Sequence, residues 1–226
     1  MSNLRITTLQ QAGKFTKQIL FWVPVMFFSL LLVKNTIPYF SFSPEFSFIK
    51  ERAILFAKPL YKISFYAHIF AGMFCILSAL LQFSSEILRK RKAIHIWSGR
   101  IYVLTVMFIG APTGLYMSFF AKGSFNERLL FMFMAFYWFA TTAKGFTSIL
   151  KKNVLAHKCW MMRSYCMAMT AVTFRIYHLI FYSIGWGHLE NYEISLWISV
   201  VGNILIAEYL IMRQSKSYLK TFNLNS

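Results

Sequence analysis

Four histidines stand within or at the edges of the apolar stretches of this chain: His68, His95, His157 and His178. A histidine inside a membrane span is rare and usually functional, and its imidazole is a good ligand for haem iron or a transition metal. His157 and His178 fall on one face of a single predicted helix. The same face carries Met161, Ser164, Ala168, Ala171 and Arg175. This face is therefore expected to look into a helical bundle.

The predicted topology sorts these histidines into two layers. His68 and His178 lie near the outer ends of their helices, whereas His95 and His157 lie at the inner ends of theirs. A straight helix separates His157 from His178 by roughly 31 Å, at about 1.5 Å per residue, so the two cannot share one site. Two histidine pairs are what two b-type haems with bis-histidine ligation require. Haem b, in one or two copies, is thus a candidate cofactor beside a bare metal or no cofactor.

Other groups near the inner layer offer related chemistry. Arg100 and Arg163 are expected to lie close enough to hold haem propionates or lipid phosphates. His95, His157 and Glu208 together could hold a transition-metal ion, since imidazole and carboxylate are ordinary ligands for one. The two hypotheses share the same two histidines and differ in the third partner.

Three further polar residues, Arg175, Asn203 and Glu208, lie inside predicted spans. A buried charge is usually paired, and contact between Arg175 and Glu208 would need a long side chain reaching inward. One hypothesis is that these residues and His68 line the path of a small transporter or proton-coupled permease. The alternative is that they only hold helices together, which would suit a non-catalytic accessory or scaffold protein. His188 lies in a predicted external loop and is expected to be solvated.

An all-α fold in a membrane must position these residues. The 226-residue chain is 58% hydrophobic, with a mean hydropathy of +0.52, which is far more apolar than a soluble domain. Apolar runs of about 20 residues match a hydrocarbon core of about 30 Å, and helices satisfy their own backbone there. We predict a polytopic integral membrane bundle of about six transmembrane helices.

The six predicted spans are about residues 19–33, 63–83, 95–120, 129–150, 157–184 and 194–212, and the pattern leaves the first open to extension toward residue 39. They leave a cytoplasmic tail at 1–17, a bundle at 18–212 and a second cytoplasmic tail at 213–226. Residues 48–56, in the external loop 38–60, are predicted to form an interfacial helix. Gly110, Ala111 and Pro112 predict a kink in the third span.

The charge distribution predicts the orientation. Of the 24 Lys and Arg, 14 fall on one side of the predicted spans and 7 on the other, so the first side is expected to be cytoplasmic, with both termini. That face should attract anionic lipid headgroups, and the net charge of +17 need not indicate nucleic-acid binding. The three cysteines predict no disulfide, and no cleavage site follows the first apolar run. The sequence shows no nucleophile–base pair and no nucleotide fingerprint. It therefore indicates no particular enzymatic activity, and whether the protein is an enzyme stays open.

Several motifs are jointly specific. They are His68 and Gly72, Gln82-Phe83, His95, Gly99-Arg100, Tyr102, Pro112, Gly114, Trp138, Thr141-Thr142, His157, Trp160-Met161, Arg163-Ser164-Tyr165, Ala171-Val172-Thr173, Arg175, Asn203 and Glu208. With them the chain, over residues 61–212, resembles the bacterial family of predicted integral membrane proteins called domain of unknown function 2306.

The resemblance implies a helical bundle of a bacterial cytoplasmic membrane, with a layout similar to transmembrane cytochrome b bundles, but no particular activity. It also implies that His68, His95, His157 and Arg175 belong to the family pattern. His178 does not firmly belong to it, which weakens the outer histidine pair and the two-haem hypothesis.

Overall fold

The chain is helical throughout the part that the structure, a computed structural model, describes, namely residues 23–82 and 85–223. No strand occurs in those residues, which confirms the predicted all-α bundle. Five helical stretches there are long and apolar enough to cross a membrane by length and composition. Large apolar side chains such as Phe108, Phe136 and Leu205 are 71%, 62% and 63% exposed, as expected for a surface that faces lipid. The predicted tail at 1–17 lies outside the described residues.

The chain divides after Ser41 into two compact units, and the first contributes one described helix, α1 (Val23–Ser41). Its last turn, Ile37–Ser41, is a 3-10 helix. The helix extends beyond the predicted end of the first span at residue 33. Pro38 does not stop it earlier, because this proline stands in the terminal turn and not in the helix interior.

The second unit begins with two short helices, α2 (Ser47–Glu51) and α3 (Ala53–Phe56), where the sequence predicts one interfacial helix. Arg52 separates them with φ −118° and ψ 28°. The ring of Phe48 stacks on that of Phe65, with centroids 5.4 Å apart. This segment therefore packs on the next helix.

The next two predicted spans are α4 (Pro59–Gln82) and a composite helix that follows the short α5 (Ser85–Lys90). The composite consists of α6 (Lys92–Thr105), a π-helical segment (Val106–Gly110) and α7 (Ala111–Ser118). The irregular segment lies where the sequence predicts a kink, directly before Pro112. A proline removes one backbone donor, and a π-helical turn is one way in which a helix absorbs that loss.

The fourth predicted span is α8 (Phe125–Leu150), which begins at a capping box formed by Ser124 and Glu127. The helix α9 (Val154–Ala168) follows after a short turn, and the Asn153 side chain accepts from the amide of Ala156 at its start. This cap satisfies a backbone donor at the position where α9 enters the bundle.

The predicted fifth span, residues 157–184, is not one helix. It divides at Met169 into α9 and α10 (Thr170–Ser183), so the prediction of a single helix is wrong. The Thr173 hydroxyl donates to the carbonyl of Met169 at 3.3 Å, and such back-bonding bends helices. Asn203 Nδ2 donates to the hydroxyls of Thr170 and Thr173 at 3.1 and 3.0 Å. These contacts fix the break.

The last helix, α11 (His188–Asn223), contains the sixth predicted span and continues into the predicted C-terminal tail. Short connections make consecutive helices run back and forth, around a core of Leu130, Met167, Leu196 and Val200. The starts of α6 and α9 therefore lie at one end, with the basic residues 89–92 and 151–152. We call this the basic end, and we call the opposite end, with the turn at residues 119–124, the far end.

Candidate functional site

The basic end holds two histidines from different helices, His95 in the first turn of α6 and His157 in the first turn of α9. His157 Nδ1 lies 2.8 Å from the carbonyl oxygen of Gly145. A carbonyl only accepts, so in the neutral ring Nδ1 carries the proton and Nε2 has the lone pair. His95 Nδ1 is buried without a hydrogen-bond partner in the described part of the chain. The structure thus places both histidines of the inner pair at the same end of the bundle.

Two close contacts between helices position this pair. At Gly145 of α8, an added Cβ would lie 2.6 Å from Sδ of Met161 in α9. The absence of a side chain there lets α9 approach closely enough for the contact of His157. The second contact positions His95: Gln82 Nε2 donates to the backbone carbonyl of His95 at 2.6 Å. The end of α4 thereby holds the start of α6.

Two charged residues that the sequence assigns to different roles, Arg163 and Glu208, contact each other in the structure. Arg163 donates through Nε and Nη2 to both carboxylate oxygens of Glu208, at 2.6 and 2.8 Å. Its guanidinium also lies 4.6 Å from the ring centroid of Trp160. Arg100 is exposed and lies over the ring of Trp97 at 5.1 Å. Arg163 is therefore committed to a bidentate ion pair, whereas Arg100 contacts no carboxylate in the described residues.

The three-residue metal site is not assembled in the structure. Among the residues that the structure describes, no group of three or more His, Cys, Asp or Glu side chains could hold a metal ion. Arg163 occupies both oxygens of Glu208. The carboxylate of the hypothetical metal site is thus held by Arg163.

A closed ring of hydrogen bonds joins α6, α8 and α9 next to the inner pair. Trp138 Nε1 donates to the Tyr102 hydroxyl at 3.1 Å, and that hydroxyl lies 2.8 Å from Ser164 Oγ. Ser164 Oγ lies 2.6 Å from Thr142 Oγ1, which donates to the carbonyl of Trp138 at 2.7 Å. Each hydroxyl has one proton, so Tyr102 donates to Ser164 and Ser164 to Thr142. The ring begins and ends at Trp138 and does not form a chain of hydrogen bonds from one end of the bundle to the other. This closure indicates a structural role.

Towards the far end, His68 of α4 lines a cavity of about 350 Å³. His68 Nδ1 lies 3.0 Å from the carbonyl oxygen of Gly110 in the π-helical segment and 3.3 Å from the Thr113 hydroxyl. As at His157, this contact leaves Nε2 with its lone pair. An added Cβ at Gly114 would lie 2.9 Å from His68 Cε1. The imidazole therefore packs directly on the backbone of α7.

The outer histidine pair does not meet in this cavity. The ring of His178 stacks on that of Phe174, with centroids 5.7 Å apart. Phe174 lines the cavity together with His68, and His178 does not. His178 thus lies behind the wall to which His68 belongs.

The polar residues of the hypothetical path lie in separate places. Arg175 lines the cavity beside His68, and its Nη1 donates to the carbonyl of Ala171 at 2.6 Å. Glu208 is held by Arg163 and not by Arg175. Asn203 holds the break between α9 and α10.

Two cations of the cavity wall were missed by sequence reasoning, Arg52 and Lys122. Arg52 Nη1 donates to the carbonyl of Phe120 at 2.7 Å and to the Tyr61 hydroxyl at 3.2 Å. Lys122 forms a 2.6 Å ion pair with Glu51. The available signal was their position, because both are cations on the side where the charge pattern disfavours them.

The fold and the placement of these residues define a class, an all-α membrane protein with histidines inside a helical bundle. A family model described as "Predicted membrane protein (DUF2306)" matches residues 65–211. The chain belongs to this family, which confirms the resemblance seen in the motifs. No curated protein and no solved structure matches the chain. Membership supports a membrane location, and a more specific function has to be argued from the site.

Proposed function

We propose that the protein binds one b-type haem between His95 and His157 and takes part in electron transfer at the membrane. One observation carries this proposal: His95 of α6 and His157 of α9 both lie in the first turn of their helices, at the basic end of the bundle. They are the two histidines at that end among the described residues. When bound, a b-type haem supplies one-electron redox chemistry and takes its axial ligands from the protein.

The state of the two rings supports axial ligation. A metal-binding histidine usually donates its other ring N–H to a carbonyl, which fixes the tautomer and the ring orientation. His157 does this with Gly145 at 2.8 Å. The Nδ1 of His95 is a buried atom without a hydrogen-bond partner among the described residues, and such an atom is costly unless a ligand satisfies it.

The number of ligands favours haem over a bare ion. Transition-metal sites built by protein alone usually take three or four side-chain ligands. Among the described residues no three His, Cys, Asp or Glu side chains are grouped to hold a metal ion, and Arg163 holds both oxygens of Glu208. A haem brings four nitrogens of its own and needs only the two axial positions from the chain. Arg100, which contacts Trp97 and no described carboxylate, is available to a propionate.

The test is a visible absorption spectrum of the detergent-purified protein from haem-replete cells, oxidised and dithionite-reduced, with total iron measured on the same sample. We expect a Soret band, sharp reduced α and β bands and one iron per chain. His95→Ala and His157→Ala should each remove the bands while the protein still inserts. His178→Ala is the matched control and should keep them, because its ring lies against Phe174.

Two outcomes contradict the haem proposal. Bands that persist in His157→Ala would show that this residue is not an axial ligand. A colourless wild-type protein would favour the permease or the scaffold hypothesis. Loss of the bands in His178→Ala alone would move the haem to the outer layer.

A further inference from the structure

The cavity beside His68 is long and narrow. Tyr61 and Ile76 both line it, about 15 residues apart on α4, so it extends for about 22 Å along the bundle. Its volume of about 350 Å³ lies at the lower end of the range for ligand pockets, about 300–1,000 Å³. A cavity of this length can hold one extended hydrocarbon chain.

The inner half of this cavity is apolar. Ile76, Trp138, Met134 and Met167 line it there, and Phe131 and Leu196 line the wall further out. The polar contacts of these side chains are already made within the protein: Trp138 Nε1 donates to the Tyr102 hydroxyl, and Met167 Sδ accepts from the Thr170 hydroxyl. A polar ligand would lose its hydration here without gaining hydrogen bonds, whereas an alkyl chain would gain from burial.

The outer half of the cavity is cationic. Arg52 and Lys122 line it at the far end, and Arg175 lines it on α10. No carboxylate is among the described residues of the wall, and Lys122 forms an ion pair with Glu51 beside it. Positive charge against a low-dielectric wall attracts an anionic group strongly.

Arg52 is held in place by contacts within the protein. One of its nitrogens, Nη1, donates to the Phe120 carbonyl at 2.7 Å and to the Tyr61 hydroxyl at 3.2 Å. Its guanidinium carbon lies 5.2 Å from the ring centroid of Phe48. A guanidinium has five N–H donors, so others stay available for a carboxylate. A fixed donor loses less entropy when it binds an anion than a mobile one does.

We propose that this cavity binds a single-chain anionic amphiphile of the fatty-acid type. Its carboxylate lies among Arg52, Lys122 and Arg175 at the far end, and its alkyl chain extends towards Trp138 and Ile76. The site is separate from the inner histidine pair and does not depend on haem binding.

The experiment uses the tryptophan at the inner end as a reporter. The full chain is reconstituted in nanodiscs of zwitterionic phosphatidylcholine and titrated with ω-bromoundecanoate, whose terminal bromine quenches indole fluorescence on contact. The neutral probe ω-bromoundecanol is the matched control for chain partitioning. The Trp138→Phe variant isolates the signal of Trp138 from that of the other tryptophans.

We expect saturable quenching of the Trp138 signal by the carboxylate, with a Kd at least about tenfold lower than that of the alcohol, since hydrogen bonds to charged groups are the stronger ones. Arg52→Gln should raise the Kd of the carboxylate about tenfold. Arg128→Gln is the matched control, because Arg128 is an exposed cation at the same end that does not line the cavity. It should change the Kd less than twofold, roughly.

Three outcomes would overturn the proposal. Equal Kd values for the carboxylate and the alcohol would remove the anion from it. Quenching that is unchanged in Trp138→Phe would place the bromine in the bilayer and not in the cavity. An Arg52→Gln variant that binds as tightly as wild type would also contradict it. If Arg52→Gln does not fold, Arg175→Gln gives the same test, since Arg175 Nη1 contacts a carbonyl of its own helix.

Discussion

At the scale of single residues, buried hydroxyl groups form hydrogen bonds that join three helices of this bundle. Tyr102, Thr142 and Ser164 are 2%, 0% and 0% exposed, and each donates one hydrogen bond and accepts one. A helix pair in lipid gains little from apolar contact, because lipid is equally apolar. Interhelical hydrogen bonds therefore contribute to specificity where leucines cannot. The ring fixes which faces of α6, α8 and α9 meet.

The first prediction concerns the centre of that ring. Ser164→Ala leaves the buried Tyr102 hydroxyl without its acceptor. We expect a loss of about 1–2 kcal/mol in the free energy of unfolding, above the average for hydrogen bonds in membranes, because a donor stays unsatisfied. Ser148→Ala is the control, since its hydroxyl contacts only a carbonyl of its own helix. Unfolding in mixed detergent with SDS would measure both, and equal losses would contradict the structural role of the ring.

At the scale of helices, glycines decide how closely two elements approach. The contact between α8 and α9 depends on Gly145, where an added Cβ would lie 2.6 Å from Met161 Sδ. In α11, by contrast, an added Cβ at Gly202 would meet nothing within 4 Å. The two glycines are alike in sequence terms and differ only in what the neighbouring helix places opposite them.

The second prediction compares these two positions. Gly145→Ala should destabilise the protein by about 1–3 kcal/mol, because the methyl group overpacks the interface with α9. Gly202→Ala should be neutral or stabilise by up to about 1 kcal/mol, since alanine favours the helix and has room. Adding Met161→Ala to Gly145→Ala should recover part of the loss, which a double-mutant cycle measures. Equal effects at both glycines would show that the close approach does not matter.

Helix-scale features divide into those that local sequence encodes and those that depend on a distant partner. The irregular turn before Pro112 could be predicted, because proline acts on its own helix. The break at Met169 could not, since it is fixed partly by Asn203 of α11. For the same reason the sequence named Arg163 and Glu208 as site residues but did not pair them. That His95 and His157 lie at the same end of the bundle was predictable from topology, which places both at helix starts on one side.

At the scale of the whole molecule, the two ends of the bundle differ in charge and in what they offer to ligands. The basic end carries the histidine pair and the runs of lysine and arginine at residues 89–92 and 151–152. The far end carries the cationic part of the cavity wall, with Arg52 and Lys122, and Arg175 lines the cavity on α10. A positive surface of this kind gains about 1 kcal/mol for each Lys or Arg near anionic lipid. Orientation therefore decides from which side each site is reached.

The last prediction is that the basic end faces the cytoplasm, as the excess of lysine and arginine implies. In a background with Cys75, Cys159 and Cys166 replaced by alanine, single cysteines are introduced by Asn126→Cys at the far end and Lys151→Cys at the basic end, both at exposed positions. In intact cells, a membrane-impermeant maleimide should label the first variant and should label the second only after permeabilisation. The reverse pattern would place the histidine pair outside and the cavity mouth in the cytoplasm. Labelling of both in intact cells would mean that the chain inserts in two orientations, and the charge asymmetry would then be too weak to fix one.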